Sequence, residues 1–173
     1  MKILNRAGRA AIFDRKVFTE AFFDDDAMAD SAIAVALVGA LTYLGSLAWH
    51  GAWELFDLFG VIQALIFSVA SWLIVGFATW LAATRMFRSN ARYQTLIAMQ
   101  GLAVLPLLLE IFGPPISWVA LLWYLAVLVL ATKEGTELDF KLAGVSVLIG
   151  FAAALVIRLL LGAPFALFSG AFA

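Results

Sequence analysis

Between Ala91 and Thr132 the chain runs from a basic lead into an apolar stretch, turns through Gly113-Pro114-Pro115 and enters a second apolar stretch. Each stretch holds about 17 residues, near the lower limit for a helix that crosses a hydrocarbon core. Joined by a glycine-proline-proline turn, the two predict a membrane hairpin. A chain with this hairpin is an integral membrane protein. The hairpin by itself says nothing about activity.

Composition agrees with that reading. The chain is 65% hydrophobic and 13% charged, whereas a soluble domain is about a quarter charged. The charges also cluster between apolar blocks instead of recurring along amphipathic faces. A net charge of −1 gives no electrostatic footprint for nucleic acid. The absence of cysteine excludes disulfides, thiolate metal sites and cysteine nucleophiles. A single histidine, His50, excludes a haem held by two histidines of this chain.

Apolar runs elsewhere place the remaining spans. Crossings are expected at about 31–49, 58–83, 93–112, 116–132 and 142–161. The predicted fold is an all-α integral membrane bundle of five transmembrane helices over residues 31–162, preceded by a short cytoplasmic N-terminal segment, residues 1–30. That segment does not read as a signal peptide, because acids and not a short apolar core follow its basic start. If it is helical, Lys2, Arg6, Arg9 and Lys16 share one arc and Ala7, Ala11, Phe18 and Phe22 lie opposite, as in a helix lying on a membrane surface. Phe13 and Arg15 interrupt the pattern, and the plainer reading is a short, loosely ordered lead-in. Asp24, Asp25, Asp26 and Asp30 follow. An acidic run can hold a metal, but the start of a helix also favours negative charge through its unpaired N–H groups and dipole, and that reading is preferred.

Small residues recur at packing intervals. Ala32, Ala36 and Ala40 form one row, and Ala64, Ser68, Ser71, Ala78 and Ala82 fall near one face of the second span. Ser146, Gly150 and Ala154 form a third row, with Arg158 next in it. Pro106 is expected to kink the third span, where Gln100, Ala103 and Glu110 share a broad side. Gly135 reads as the stop of the fourth span. The tail, residues 163–173, is too short for another crossing. Pro164 argues against continued helix, so the tail is expected at the outer surface or folded back on the bundle.

The distribution of Lys and Arg sets orientation. Lys2, Arg6, Arg9, Arg15 and Lys16, then Arg85, Arg88 and Arg92, then Lys133 and Lys141 all fall on one side of a five-span arrangement. Only Arg158 does not. The positive-inside rule makes the N-terminus cytoplasmic and the C-terminus external.

Glu110 and Arg158 stand about 15 and 16 residues into two spans that both run outward, so they reach nearly the same depth, roughly 22–24 Å. An unpaired charge facing lipid costs several kcal/mol. An intramembrane ion pair is the sharper expectation. In the plainer one, Arg158 snorkels to headgroups and Glu110 meets water at the turn. Mid-membrane polar candidates for a transport path are sparse: Tyr43, Ser68, Ser71 and Gln100. His50, Glu54 and Asp57 can in principle meet at a metal, but they are too few and too local to specify one. No nucleophile motif is present. No catalytic residue, metal site or cofactor is therefore expected, and the chain reads as non-enzymatic.

The order of features resembles the bacterial type of the Yip-domain membrane proteins. Arg92-Tyr93 leads into a span with Gly101-Leu-Ala-Val-Leu-Pro106. The Gly113-Pro114-Pro115 turn, Trp123 in the next span, a charged loop from Ala131 to Ala143 and a final span follow. The resemblance covers about residues 5–162 and rests on order and spacing. It implies five spans, a cytoplasmic N-terminus and a short external C-terminus. In eukaryotes such proteins are associated with Rab-type GTPases and membrane traffic. This chain lacks the Asp-Leu-Tyr-Gly-Pro motif expected before the first span, and its cytoplasmic segment is short, so docking of such a GTPase is not expected. An alanine-rich, cysteine-free sequence looks bacterial, which implies the inner membrane.

Two functional readings follow. In the first, the protein organises membrane lipids or protein partners, as a homo-oligomer or beside another membrane protein. Arg6, Arg9, Lys16, Arg85, Arg88 and Arg92 would contact anionic inner-leaflet lipids, at about 1 kcal/mol each, unless they serve topology alone. In the second, it is a small transporter or channel subunit using an outer polar group of His50, Glu110 and Arg158. An accessory subunit of a larger complex is a variant of the first.

Overall fold

The computed structural model describes residues 2–24, 26–49, 51, 56, 58–113 and 115–169, without the side chains at 2, 3, 158 and 160–169. His50, Trp53, Glu54, Asp57, Asp25 and Pro114 lie outside the described residues. The chain forms α1 (Lys2–Ala11), α2 (Arg15–Phe22), α3 (Ala27–Trp49), α4 (Leu58–Leu81), α5 (Tyr93–Leu102), α6 (Ile116–Thr136) and α7 (Phe140–Ser169). A π-helical turn, Ala82–Met86, follows α4, and a 3-10 segment, Leu105–Phe112, follows α5. There is no strand among the described residues. Five helical segments are long and apolar enough to cross a membrane.

The third span, α5 plus the 3-10 segment, is the axis of the bundle. It packs against α3, α4 and α6, while α7 closes the far side against α4 and α6. Every residue from Leu96 to Val104 is buried. Such a helix needs apolar side chains on all sides, and Ala98, Gly101 and Ala103 keep it thin enough for its neighbours to approach. The outer helices instead expose Ile62, Ile66, Phe67, Leu122, Leu148 and Leu155. Helices that stay apolar on the side facing away from the core fit a hydrocarbon surround and not water.

Pro106 shapes this axis as expected, with a specific outcome. It has no N–H to give the carbonyl of residue 102, and its ring disfavours α geometry at residue 105. Accordingly α5 ends at Leu102, and the chain resumes at Leu105 as 3-10 helix. At about 2.0 Å per residue instead of 1.5 Å, the eight-residue 3-10 segment gains about 4 Å of reach. The turn that follows needs Gly113, whose φ is +69° and whose missing Cβ leaves room for the Trp49 ring.

The N-terminal segment differs from the expected surface helix. It forms two helices, because α1 ends in a left-handed residue, Phe13 (φ 63°), with Asp14 N–H bonded to Arg9 O and Phe13 N–H to Ala10 O. This is a helix stop usually given to glycine. Asp14 then caps α2 by accepting from the Lys16 N–H at 3.0 Å. Ala7, Ala10, Val17, Phe18 and Ala21 are buried against the bundle, not turned toward a leaflet. Trp123 Nε1 donates to the Ala11 carbonyl at 2.8 Å, and Arg15 lies 3.8 Å from Glu134. The two helices therefore dock on α5 and α6 as a hairpin.

Other boundaries shift for local reasons. The first span starts at Ala27, and its enclosed face is Ser31, Ala34, Val35 and Val38, not the row Ala32, Ala36 and Ala40, which is half-buried. On α4 the enclosed residues are Trp72, Val75, Gly76 and Thr79, followed by Ala82 and Ala83, whereas Ser71 is exposed. Gly135 is not a helix stop. It is buried beside Met99 and Leu96, and the helix ends one residue later, with Glu137 left-handed (φ 57°) and bonded to the Lys133 carbonyl. The last helix continues through Pro164 to Ser169, whereas the sequence suggests an end near 161. One proline removes a single backbone bond, and an apolar run gains nothing by exposing the others. The third small-residue row does pack: Ser146 and Gly150 are buried, Gly150 against Val75 and Thr79 of α4.

Candidate functional site

Three places concentrate polar chemistry among the described residues. The first is the ion-paired face of the N-terminal hairpin. Arg6 bridges Asp24 and Asp30, and Arg9 bridges Asp14 (2.8 Å) and Glu20 (2.8 Å). Two of the six basic residues expected at the leaflet are thus engaged within the chain, because the adjacent acids lie on the partner helix and at the start of α3. Hydrogen bonds from Arg9 hold the Glu20 and Asp14 carboxyls below their usual range, helped at Asp14 by the Lys16 N–H.

That shift has a sign. Carboxyls with a depressed folded-state pKa contribute their full stabilisation above the ordinary carboxylate range and lose it as pH falls through the depressed values. Amides of α2 should keep constant protection from neutral pH down to about pH 5 and lose it below about pH 4. Hydrogen exchange corrected for intrinsic rates measures this, and unchanged protection at pH 3 would contradict it.

The second place is the loop after α4. Phe87 N–H bonds to Ala82 O and Ser89 N–H to Ala83 O, closing the wide turn. Ser89 Oγ donates to the Thr136 carbonyl at 2.7 Å, and Trp80 Nε1 to the Ala91 carbonyl at 3.0 Å. Phe77, Trp80 and Tyr93 pack with centroids 5.6–5.9 Å apart. A loop pinned to α4 and α6 holds Arg85, Arg88 and Arg92 outward. All three are exposed, with no ion pair among the described residues. Lys16 is exposed too.

The third place is a cavity of about 260 Å³ between α3, α4, α6, α7 and the 3-10 segment. Its walls include Val35, Val38, Val75, Leu121 and Phe151, with Thr42, Ser68, Ser71, Trp72 and Tyr124 among its polar members. Val104, Leu107 and Glu110 line it together. Their alignment is a consequence of Pro106. Residues three apart drift by about 60° on an α-helix but eclipse on a 3-10 helix, so the altered winding brings Glu110 into the same row as Leu107. Glu110 is half-buried, and its carboxyl group has no hydrogen bond or ion pair among the described residues. The Arg158 side chain, its expected partner, lies outside the described residues. The shared face of Gln100, Ala103 and Glu110 is divided, since Gln100 and Ala103 belong to the packed core and only Glu110 reaches the cavity.

Gln100 makes a separate buried contact, donating to Thr132 Oγ1 at 3.0 Å. Its Oε1 and the Thr79 hydroxyl are buried without partners among the described residues. An unpaired buried hydroxyl is costly, so Thr79→Val should stabilise the bundle by about 1 kcal/mol. Thermal unfolding in detergent checks this, and a loss of stability would mean that Thr79 has a partner.

Tyr124, Trp72 and Phe151 are cavity residues that sequence reasoning missed as site members. Their signal is the ordinary one of aromatic residues on apolar helices. Comparison of the chain with protein-family models, with curated proteins and with solved structures finds no match.

Proposed function

We propose that the chain is a non-enzymatic multi-pass membrane protein of a bacterial inner membrane, with its N-terminus cytoplasmic, that organises lipids or protein partners at the cytoplasmic leaflet. The observation that carries this reading is the pinned loop with Arg85, Arg88 and Arg92 exposed together. A loop fixed on both sides presents its charges without first being ordered, which favours binding of anionic headgroups. Kinship with the Yip-domain proteins belongs to the same proposal and rests on the order of Arg92-Tyr93, Gly101 to Pro106, the Gly113 turn and Trp123.

Reversing Arg85, Arg88 and Arg92 to glutamate tests the loop. At about 1 kcal/mol for each basic residue near an anionic surface, losing three weakens anionic-lipid retention by about 100-fold. If retention in native mass spectrometry and membrane topology both survive the reversal, neither a lipid-binding nor a topogenic role for the loop stands. Native mass spectrometry of the unaltered protein also separates a homo-oligomer from a complex with another membrane protein.

A second reading, a small transporter or channel subunit, is favoured by the cavity and by Glu110, the one carboxyl group among its described lining residues. It predicts that Glu110→Gln abolishes flux in reconstituted vesicles while the protein folds normally. Normal flux in that variant would remove Glu110 from any transport path.

A further inference from the structure

We propose that the cavity between α3, α4, α6, α7 and the 3-10 segment binds an organic monocation with an apolar body, paired with Glu110. The proposal deepens the second reading at its binding step only, and it can hold for a protein that moves nothing across a membrane.

The walls decide the sign of the ligand. The indole N–H of Trp72 is given to the Ile97 carbonyl at 3.1 Å. The Thr42 hydroxyl donates to the Gly39 carbonyl and the Ser68 hydroxyl to the Leu65 carbonyl, both at 3.0 Å. These three donors are therefore turned back onto the protein and offer nothing to an anion. The lining also includes the Ser71 and Tyr124 hydroxyls, which can donate or accept, and the rings of Tyr124 and Phe151; the charged group among its described residues is the Glu110 carboxyl, and this sets the sign. Tyr124 and Phe151 meet edge to face at 6.1 Å, which fixes both rings. Carboxylate and aromatic faces together attract a weakly hydrated cation.

The size and lining exclude simpler occupants. An apolar cavity of about 150 Å³ holds a benzene ring, so this space takes roughly ten non-hydrogen atoms. A bare metal ion would leave most of this volume empty, and one carboxyl group with four neutral hydroxyls is a poor oxygen cage for it. A neutral amphiphile or an acyl chain would fill the apolar walls but leave Glu110 without a counter-charge among the described residues, and an ionised carboxylate in apolar surroundings is costly unless paired. An organic ammonium answers both the shape and the charge.

The probes are benzyltrimethylammonium and neopentylbenzene, which share a shape and differ by one positive charge. Saturation-transfer NMR and isothermal titration are run on the full chain in lipid nanodiscs, with empty discs subtracted. The expected result is saturable binding of the cation at least tenfold tighter than binding of the neutral probe. Glu110→Gln should weaken the cation at least tenfold and leave the neutral probe unchanged. Leu107→Trp, which fills the space, should block the cation. Equal affinity for the two probes in the unaltered chain overturns the proposal and leaves an acyl chain as the natural occupant. No saturable cation binding overturns it as well, as does a cation affinity that survives Leu107→Trp. The comparison of probes in the unaltered chain decides the matter even if a variant fails to fold. Absence of flux with intact cation binding would remove the transport reading and leave this one standing.

Discussion

Gly150→Leu is expected to leave little folded protein. Gly150 sits where α7 crosses α4, and a Cβ there would lie 2.8 Å from the Val75 carbonyl oxygen and 3.3 Å from the Thr79 nitrogen, besides striking the Thr79 hydroxyl. Two of those atoms are backbone, so no rotamer change makes room and the helices must separate. Overpacking in a core costs about 1–3 kcal/mol when side chains can adjust. A four-carbon side chain forced against backbone should exceed the upper end of that range. Gly144→Ala supplies the control on the same helix. Its added Cβ would meet only Val129 Cγ1, at 4.0 Å, so the change should be neutral or stabilise by about 0.5–1 kcal/mol through helix propensity. Gly150→Ala falls between the two. Thermal unfolding of the three variants in one detergent gives the order, and equal stability of Gly150→Ala and Gly144→Ala would show that α4 and α7 do not make this close contact.

That contact was legible in the sequence because its signal is local. Ser146 and Gly150 stand four residues apart on one face of the helix, and small residues at that spacing let a neighbour approach. The five apolar segments and the break at Pro106 were legible for the same reason, each being set by a few consecutive residues. The features that were missed depend on distant partners. Gly135 carries the composition of a helix stop, yet it is placed by Met99 and Leu96 on another helix. The N-terminal hairpin depends on Trp123 and Glu134, more than a hundred positions away, and its own apolar residues are too few to announce a docked pair. Glu110 was legible as an intramembrane charge. Its direction was not, because Pro106 imposes a period of three in place of the 3.6 of an α-helix.

An Ile12→Cys variant is expected to resist a membrane-impermeant maleimide from either side of the bilayer, with labelling at least tenfold slower than for Asn90→Cys in the exposed basic loop. The chain has no cysteine of its own, so each variant carries one reactive thiol. Depth along α6 gives the reason. Trp123, which holds the Ala11 carbonyl, stands about 13 residues before Thr136, or about 20 Å along the helix from the end that bears Lys133 and Glu134. The opposite end of α6 is only about 10 Å away. The turn between α1 and α2 thus lies near the level of Trp123, well inside the length of the spanning helix. The residues at that turn suit a hydrocarbon surround: Ile12 is 72% exposed and Phe13 45% exposed. Arg9 is neutralised by Asp14 and Glu20, while the exposed Arg15 and Lys16 must direct their charged ends along α6 toward Glu134 and the headgroups. A surface helix of the kind suggested by the sequence would leave position 12 in the headgroup region and open to the reagent. Labelling of Ile12→Cys as rapid as that of Asn90→Cys would therefore return the segment to the membrane surface. Slow labelling that becomes fast in Trp123→Phe would show that the indole N–H holds the hairpin tip at its depth.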